Sequence, residues 1–209
     1  MTTFARDSSD PLPSGSPADS SGAAQEAVQL PGPTTQGTLP QISSPDIGGA
    51  RRVNRAFVRG HPAHFIAFGG GIGLSRVAPG TVATLATLPL FWVLNYFLAT
   101  HTLLMLIGAM FIAGVWACAV TGRALGEHDH GGMVWDEITA FCLVLLFTPN
   151  NIVWQSFAFL LFRVFDIIKP PPIRYYDRTL RGGFGVMFDD ILAAFYALLC
   201  LAAWKAFAT

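Results

Sequence analysis

From Val77 to Gly122 the chain carries no Asp, Glu, Lys or Arg across 46 residues, and most of that run is apolar. A helix needs about 20 apolar residues to cross the hydrocarbon core of a bilayer, so the run predicts two crossings. The first is expected from about Thr81 to Ala99, with Pro89 as a kink of the kind membrane helices tolerate. The second is expected from about Thr102 to Val120, where Gly108 and Gly114 allow close helix contact. Only a short link containing His101 separates them, which predicts an antiparallel hairpin. A hydrophobic share of 52% and a charged share of 12% also lie outside the range of an ordinary soluble domain. Net charge is zero, which argues against nucleic acid as a partner. Cys118, Cys142 and Cys200 sit far apart in apolar runs, a pattern of neither a disulfide framework nor a zinc site, and they are expected to be buried and inert.

The rest of the chain divides around that hairpin. Residues 1–50 hold seven of the 14 prolines with many Ser, Gly and Thr, and are expected to be a disordered, low-complexity, cytoplasmic tail. They show no basic start followed by an apolar core, so they do not read as a secretory signal. Residues 51–209 form the expected domain, an all-α, membrane-associated helical bundle. Arg51, Arg52, Arg55 and Arg59 are suited to an anionic membrane surface, and the glycine-rich stretch 64–81 reads as a loop. These arginines and Arg123 flank the hairpin while its linker has no Lys or Arg, so both hairpin ends are expected in the cytoplasm. Ile138 to Phe162 is uncharged but broken by Thr-Pro-Asn-Asn at 148–151. It predicts a re-entrant or interfacial helical hairpin, with a continuous kinked span as the alternative. A last apolar helix is expected from about Asp189 to Phe207, long enough to span or to pack on the others.

The acidic residues are gathered unusually. Five of the 13 lie in the first 46 residues and the other eight lie between Glu127 and Asp190. Asp136 and Glu137 open a helix, where the macrodipole alone would favour them, and Asp129, Asp189 and Asp190 could similarly serve as caps. Arg163, Asp166 and Lys169 recur every three residues and would share a helix face, either as a mutual ion-pair stripe or as part of a site. Carboxylates without a Cys pair or a tight His pair form a hard-ligand set that suits Mg²⁺. His128 and His130 lack the further ligand pair that zinc would need. Cations interleaved with these carboxylates are the combination that binds phosphate and stabilises phosphoryl transfer. Gly182, Gly183 and Gly185, and the run Gly69–Gly73, could bring backbone amides to an anion, but neither matches a nucleotide loop and both read first as turns.

Three motifs then carry a specific likeness. DHGGMVWDE (129–137), FRVFDIIKPPPIRYYDR (162–178) and GGFGVMFDD (182–190), with GIGLSRVAPGT (71–81) upstream, resemble the bacterial phosphatidylglycerophosphatase A family over about residues 65 to 205. Two departures, Ala83-Thr84-Leu85 and Ala193-Ala194, fall at helix-packing positions. The resemblance implies an all-helical, Mg²⁺-dependent lipid phosphatase of the bacterial inner membrane, multi-pass, with its active site facing the cytoplasm. Its implied substrate is the phospholipid phosphatidylglycerophosphate, converted to phosphatidylglycerol and inorganic phosphate. By motif position it implies Asp129, Asp136, Asp166, Lys169 and Asp177 as catalytic residues. Arg163, Lys169 and Arg178 would clamp the substrate phosphate, and Asp136, Glu137, Asp166, Asp189 and Asp190 would hold Mg²⁺. The bilayer is the expected surrounding, and no protein partner is indicated. A phosphatidyltransferase using a CDP-lipid, or a divalent-cation carrier, would also use clustered carboxylates at a membrane. The first lacks its Asp spacing here, and the second would set its carboxylates at the bilayer midplane.

Overall fold

The computed structural model describes residues 53–208, with Arg178 and Ala208 as backbone only. The expected tail, Arg51 and Arg52 lie outside the described residues. Every described element is helical: α1 Arg55–Arg59, α2 Pro62–Ala67, a 3₁₀ segment Gly69–Leu74, α3 Pro79–Phe97, α4 Thr100–Leu125, α5 Trp135–Phe147, α6 Ile152–Ile168, α7 Ile173–Thr179 and α8 Gly183–Ala208.

Local chemistry sets most of these boundaries. Asn54 accepts a hydrogen bond from the Phe57 amide at 2.8 Å and starts α1; Asn151 does the same for Val153 at 2.9 Å and starts α6. Pro79 stands at the first position of α3, where its missing N–H costs nothing. Gly126, at φ 76°, ends α4 in the left-handed conformation that glycine adopts without strain. The chain between Phe68 and α3 is more ordered than a loop. His64 and Ala67 belong to α2 and are buried, and Gly69, Gly70 and Gly71 at positive φ turn the backbone into the 3₁₀ segment.

The expected hairpin is α3 and α4, and α3 is a single helix through Pro89. The α5–α6 pair is broken at Thr148–Asn151, as the Pro and Asn residues predict, and turns back: Arg163 on α6 reaches Glu137 on α5. A continuous span through 138–162 is thereby excluded. The last helix differs more. It starts at Gly183 rather than Asp189, so Asp189 and Asp190 sit in its second turn and are not caps. Gly183, the first residue of the helix, lies so close to α4 that a Cβ there would strike the Val115 carbonyl and Ala119, an approach that only tertiary packing reveals.

α8 lies against α4, α5 and α6, with α7 across its amino end. Phe141, Leu145, Phe162 and Ile173 fill the core between them, and Phe68, Cys118, Met133 and Met187 form a second cluster beneath α1 and α2. Three helices, α3, α4 and α8, are long and apolar enough to cross a membrane. Their outward Tyr96, Phe97, Met105, Ile112 and Phe207 are exposed, which suits a surface solvated by lipid. Cys118 and Cys142 are buried as expected, but Cys200 is exposed on α8.

Candidate active site

The amino ends of α5 and α8 and the carboxyl end of α6 meet in one place, and each brings charged residues. α5 begins with Asp136 and Glu137, where the helix dipole favours negative charge. Asp136 is 6% exposed and accepts a hydrogen bond from the Glu137 amide at 3.0 Å. α8 brings Asp189 and Asp190, 4% and 3% exposed, too far along the helix for a capping role. α6 brings Arg163 and Asp166, and its carboxyl end brings Lys169.

Two cations organise these carboxylates. Arg163 Nη1 lies 3.0 Å from Glu137 Oε1 and 2.6 Å from Asp166 Oδ2. Lys169 does not continue that helix face. It is the cap residue in left-handed conformation at φ 45°, next to Pro170, and its ammonium turns away to Asp177 Oδ1 at 2.7 Å and to Asp189 Oδ2. The expected stripe is therefore split between two centres, one tying α6 to α5 and one tying the α6 end to α7 and α8. A cavity of about 310 Å³ opens beside the second centre, lined by His128, Asp129, Asp177, Arg181 and Gly182. Asp129 and Asp177 thus face open space while Asp136 and Asp190 lie buried. The side chain of Arg178 lies outside the described residues. His130 accepts a hydrogen bond from the Gly132 amide at 3.0 Å, which orders the turn into α5.

The cluster holds more negative charge than its cations compensate. Burial, then Glu137 and Asp129, push the Asp136 carboxyl well above its ordinary range. Burial pushes Glu137 up to about 7, with Arg163 opposing and Asp166 adding to the shift. Burial disfavours the Lys169 ammonium, but Asp189 and Asp177 outweigh it and keep the group charged. Glu137 Oε2, Asp189 Oδ1 and Asp190 Oδ2 are buried without a hydrogen-bond partner. Such oxygens are costly unless a cation or donor meets them, so the donor chemistry fits a hard divalent ion. Among the described residues no three His, Cys, Asp or Glu side chains stand ready to chelate a metal. Mg²⁺ needs no such cage, since it is commonly held through one or two carboxylates with water and substrate phosphate completing its shell.

Of the glycines that could approach an anion, Gly182 and Gly185 line the cavity beside Lys169, while others lie against neighbouring backbone. Gly73 lies so close to the Gly132 carbonyl, and Gly185 to the Leu180 carbonyl, that neither position has room for a Cβ. One arrangement was hidden from sequence: the Glu137 carboxylate packs against Gly80 in the first turn of α3. A larger cavity, about 570 Å³ between α5, α6 and α8, is lined by Leu143, Phe147, Trp154 and Phe195 among other mainly apolar residues, away from the carboxylates.

Sequence comparison decides the family. The profile described as Phosphatidylglycerophosphatase A matches residues 65–205, which include every residue of this charged cluster. The chain belongs to the phosphatidylglycerophosphatase A family. It is 44% identical over 140 residues to Phosphatidylglycerophosphatase A of Haemophilus influenzae, covering 66% of this chain and 86% of that protein. With Phosphatidylglycerophosphatase A of Escherichia coli K12 it shares 41% over 134 residues, 64% of this chain and 77% of that one. A Bacteroides thetaiotaomicron protein with a provisional phosphatidylinositol-3-phosphatase name is 38% identical over 145 residues, 66% of this chain and 89% of its own length. No solved structure matches the chain. The protein is a phosphoric monoester hydrolase that dephosphorylates phosphatidylglycerophosphate in phospholipid biosynthesis. Its substrate is a phospholipid, and its three apolar helices associate it with a membrane.

Proposed function

We propose that the phosphate is removed at the carboxylate cluster with the help of Mg²⁺, on the cytoplasmic face of the inner membrane. The observation that carries the proposal is the set of buried oxygens of Glu137, Asp189 and Asp190 that have no hydrogen-bond partner among the described residues, beside two cations, Arg163 and Lys169, paired with carboxylates. Asp136, Glu137, Asp166, Asp189 and Asp190 would hold Mg²⁺. When bound, the ion supplies positive charge against the negative charge of the phosphoryl oxygens.

The chain's own groups then have distinct tasks. Arg163 and Lys169 exchange part of their carboxylate pairing for phosphate oxygens, with Arg178 as a third clamp, because charge-assisted bonds to phosphate replace those to carboxylate at little cost. The open cavity admits the headgroup and an attacking water, and Asp129 or Asp177 at its edge accepts the water's proton as the bond to phosphorus forms. The P–O bond to the lipid glycerol breaks on the opposite side, and the glycerol oxygen keeps the bonding electrons. That oxygen takes a proton from solvent while the aspartate returns its own, which leaves inorganic phosphate and phosphatidylglycerol. The cytoplasmic orientation is supported by Arg55, Arg59 and Arg123 flanking α3 and α4, whose linker carries no cation.

Single replacements test the proposal. Asp136→Asn, Asp166→Asn and Lys169→Ala are each expected to cut phosphate release from phosphatidylglycerophosphate by about 10²-fold or more in detergent-solubilised protein. Near-normal turnover in all three would remove the cluster from the reaction.

A further inference from the structure

The upstream segment GIGLSRVAPGT has no role in the chemistry above, yet it is folded directly onto the acidic motif. A Cβ at Gly73 would meet the Gly132 carbonyl, and just upstream one at Gly69 would come within 3.0 Å of Val134 and Ile138. Gly80 is different, because what occupies the space of its missing side chain is the carboxylate of Glu137. The nearest atom there is Oε1, the same oxygen that accepts from Arg163 Nη1 at 3.0 Å. Glu137 is thus gripped between α6 and the first turn of α3, at an end where no side chain caps the helix and Pro79 leaves fewer free amides. A carboxylate is the charge a helix amino end favours.

We infer that Gly80 is a positioning residue for the phosphatase reaction: by lacking a side chain it lets Glu137 reach the amino end of α3 while staying on Arg163. Local preference points the other way. Gly80 is helical with no positive φ, and alanine is a better helix former than glycine there. The three nearest atoms a Cβ would meet all belong to the Glu137 carboxylate. The first motif therefore enters the site as a wall that fixes one carboxylate, without touching phosphate. The inference rests on the assignment of Glu137 to the reaction centre.

A double-mutant cycle tests it, read in kcat and KM, in melting temperature, and in the melting shift that added Mg²⁺ produces. Gly80→Ala is expected to lower kcat at least about tenfold, since small displacements of a catalytic group are costly, with KM changed far less. Glu137→Asp withdraws the carboxylate by one methylene. Adding Gly80→Ala to it is expected to cost less than about threefold further, and less melting temperature than the same change costs wild type. Gly73→Ala, which clashes with backbone, is expected to gain nothing from Glu137→Asp. If Gly80→Ala folds only in the Glu137→Asp background, the contact is supported. Failure to fold in both backgrounds, equal losses in both, or a wild-type rate for Gly80→Ala would each overturn it. Glu137→Gln separates the two claims: normal turnover there removes Glu137 from the chemistry, while the stability cycle still reports on the Gly80 contact.

Discussion

Glu137 is the residue on which the site's electrostatics can be read most directly. Burial raises its carboxyl from an ordinary 4.5 to about 7, with Arg163 holding it lower than burial alone would. Without Mg²⁺ the folded protein therefore binds this proton more tightly than the unfolded chain. Stability falls as pH rises from about 4.5 to 7, and the loss is complete above that window. In chelator the melting temperature is expected to be higher at about pH 5.5 than at about pH 8, and Glu137→Gln is expected to reduce the difference, the rest coming from the other buried carboxyls of the cluster. An unchanged slope in the variant would show that Glu137 does not carry it. The role of Lys169 was only partly legible. Its three-residue spacing from Asp166 suggested a shared helix face, but the proline after it ends the helix, and the left-handed cap sends its ammonium to α7 and α8.

At the scale of elements, the sequence announced its breaks wherever they depend on local chemistry. Thr-Pro-Asn-Asn ends α5 and starts α6 because Pro149 cannot donate and Asn151 caps the next helix. The start of α8 was not legible, because Gly182-Gly183 reads as a turn, whereas Gly183 is helical and fits against the α4 backbone without room for a side chain. The α5–α6 turn is fixed by a small polar network that no motif signalled. Trp92 Nε1 donates to Gln155 Oε1 at 2.8 Å, and Gln155 Nε2 donates to Asn150 Oδ1 at 3.3 Å, with Gln155 only 1% exposed. Gln155→Leu removes both hydrogen bonds and is expected to cost about 1–3 kcal/mol of stability, at roughly 0.5–1.5 kcal/mol for each. Because the network lies at the other end of α5 from Asp136, kcat is expected to change little. A large fall in kcat with no loss of thermal stability would show instead that the turn communicates with the site.

For the whole molecule, the division of labour follows from where the charges are allowed. α3, α4 and α8 are apolar enough to cross a membrane, while α5 and α6 form a shorter hairpin whose open end brings carboxylates and cations together. The all-helical class was legible from the charge-free runs, and the reaction from three acidic motifs. Their convergence was not, since it depends on α6 returning to α5 and on the amino end of α8 meeting Lys169. The central claim is that a divalent cation completes this excess of buried carboxylate and makes the cluster a lipid phosphatase. Phosphate release from phosphatidylglycerophosphate by the purified full chain, measured in chelator and again after Mg²⁺ is restored, tests it most directly. Release is expected to fall at least about tenfold in chelator and to return with Mg²⁺. A rate that is the same in chelator and in Mg²⁺ would contradict the account.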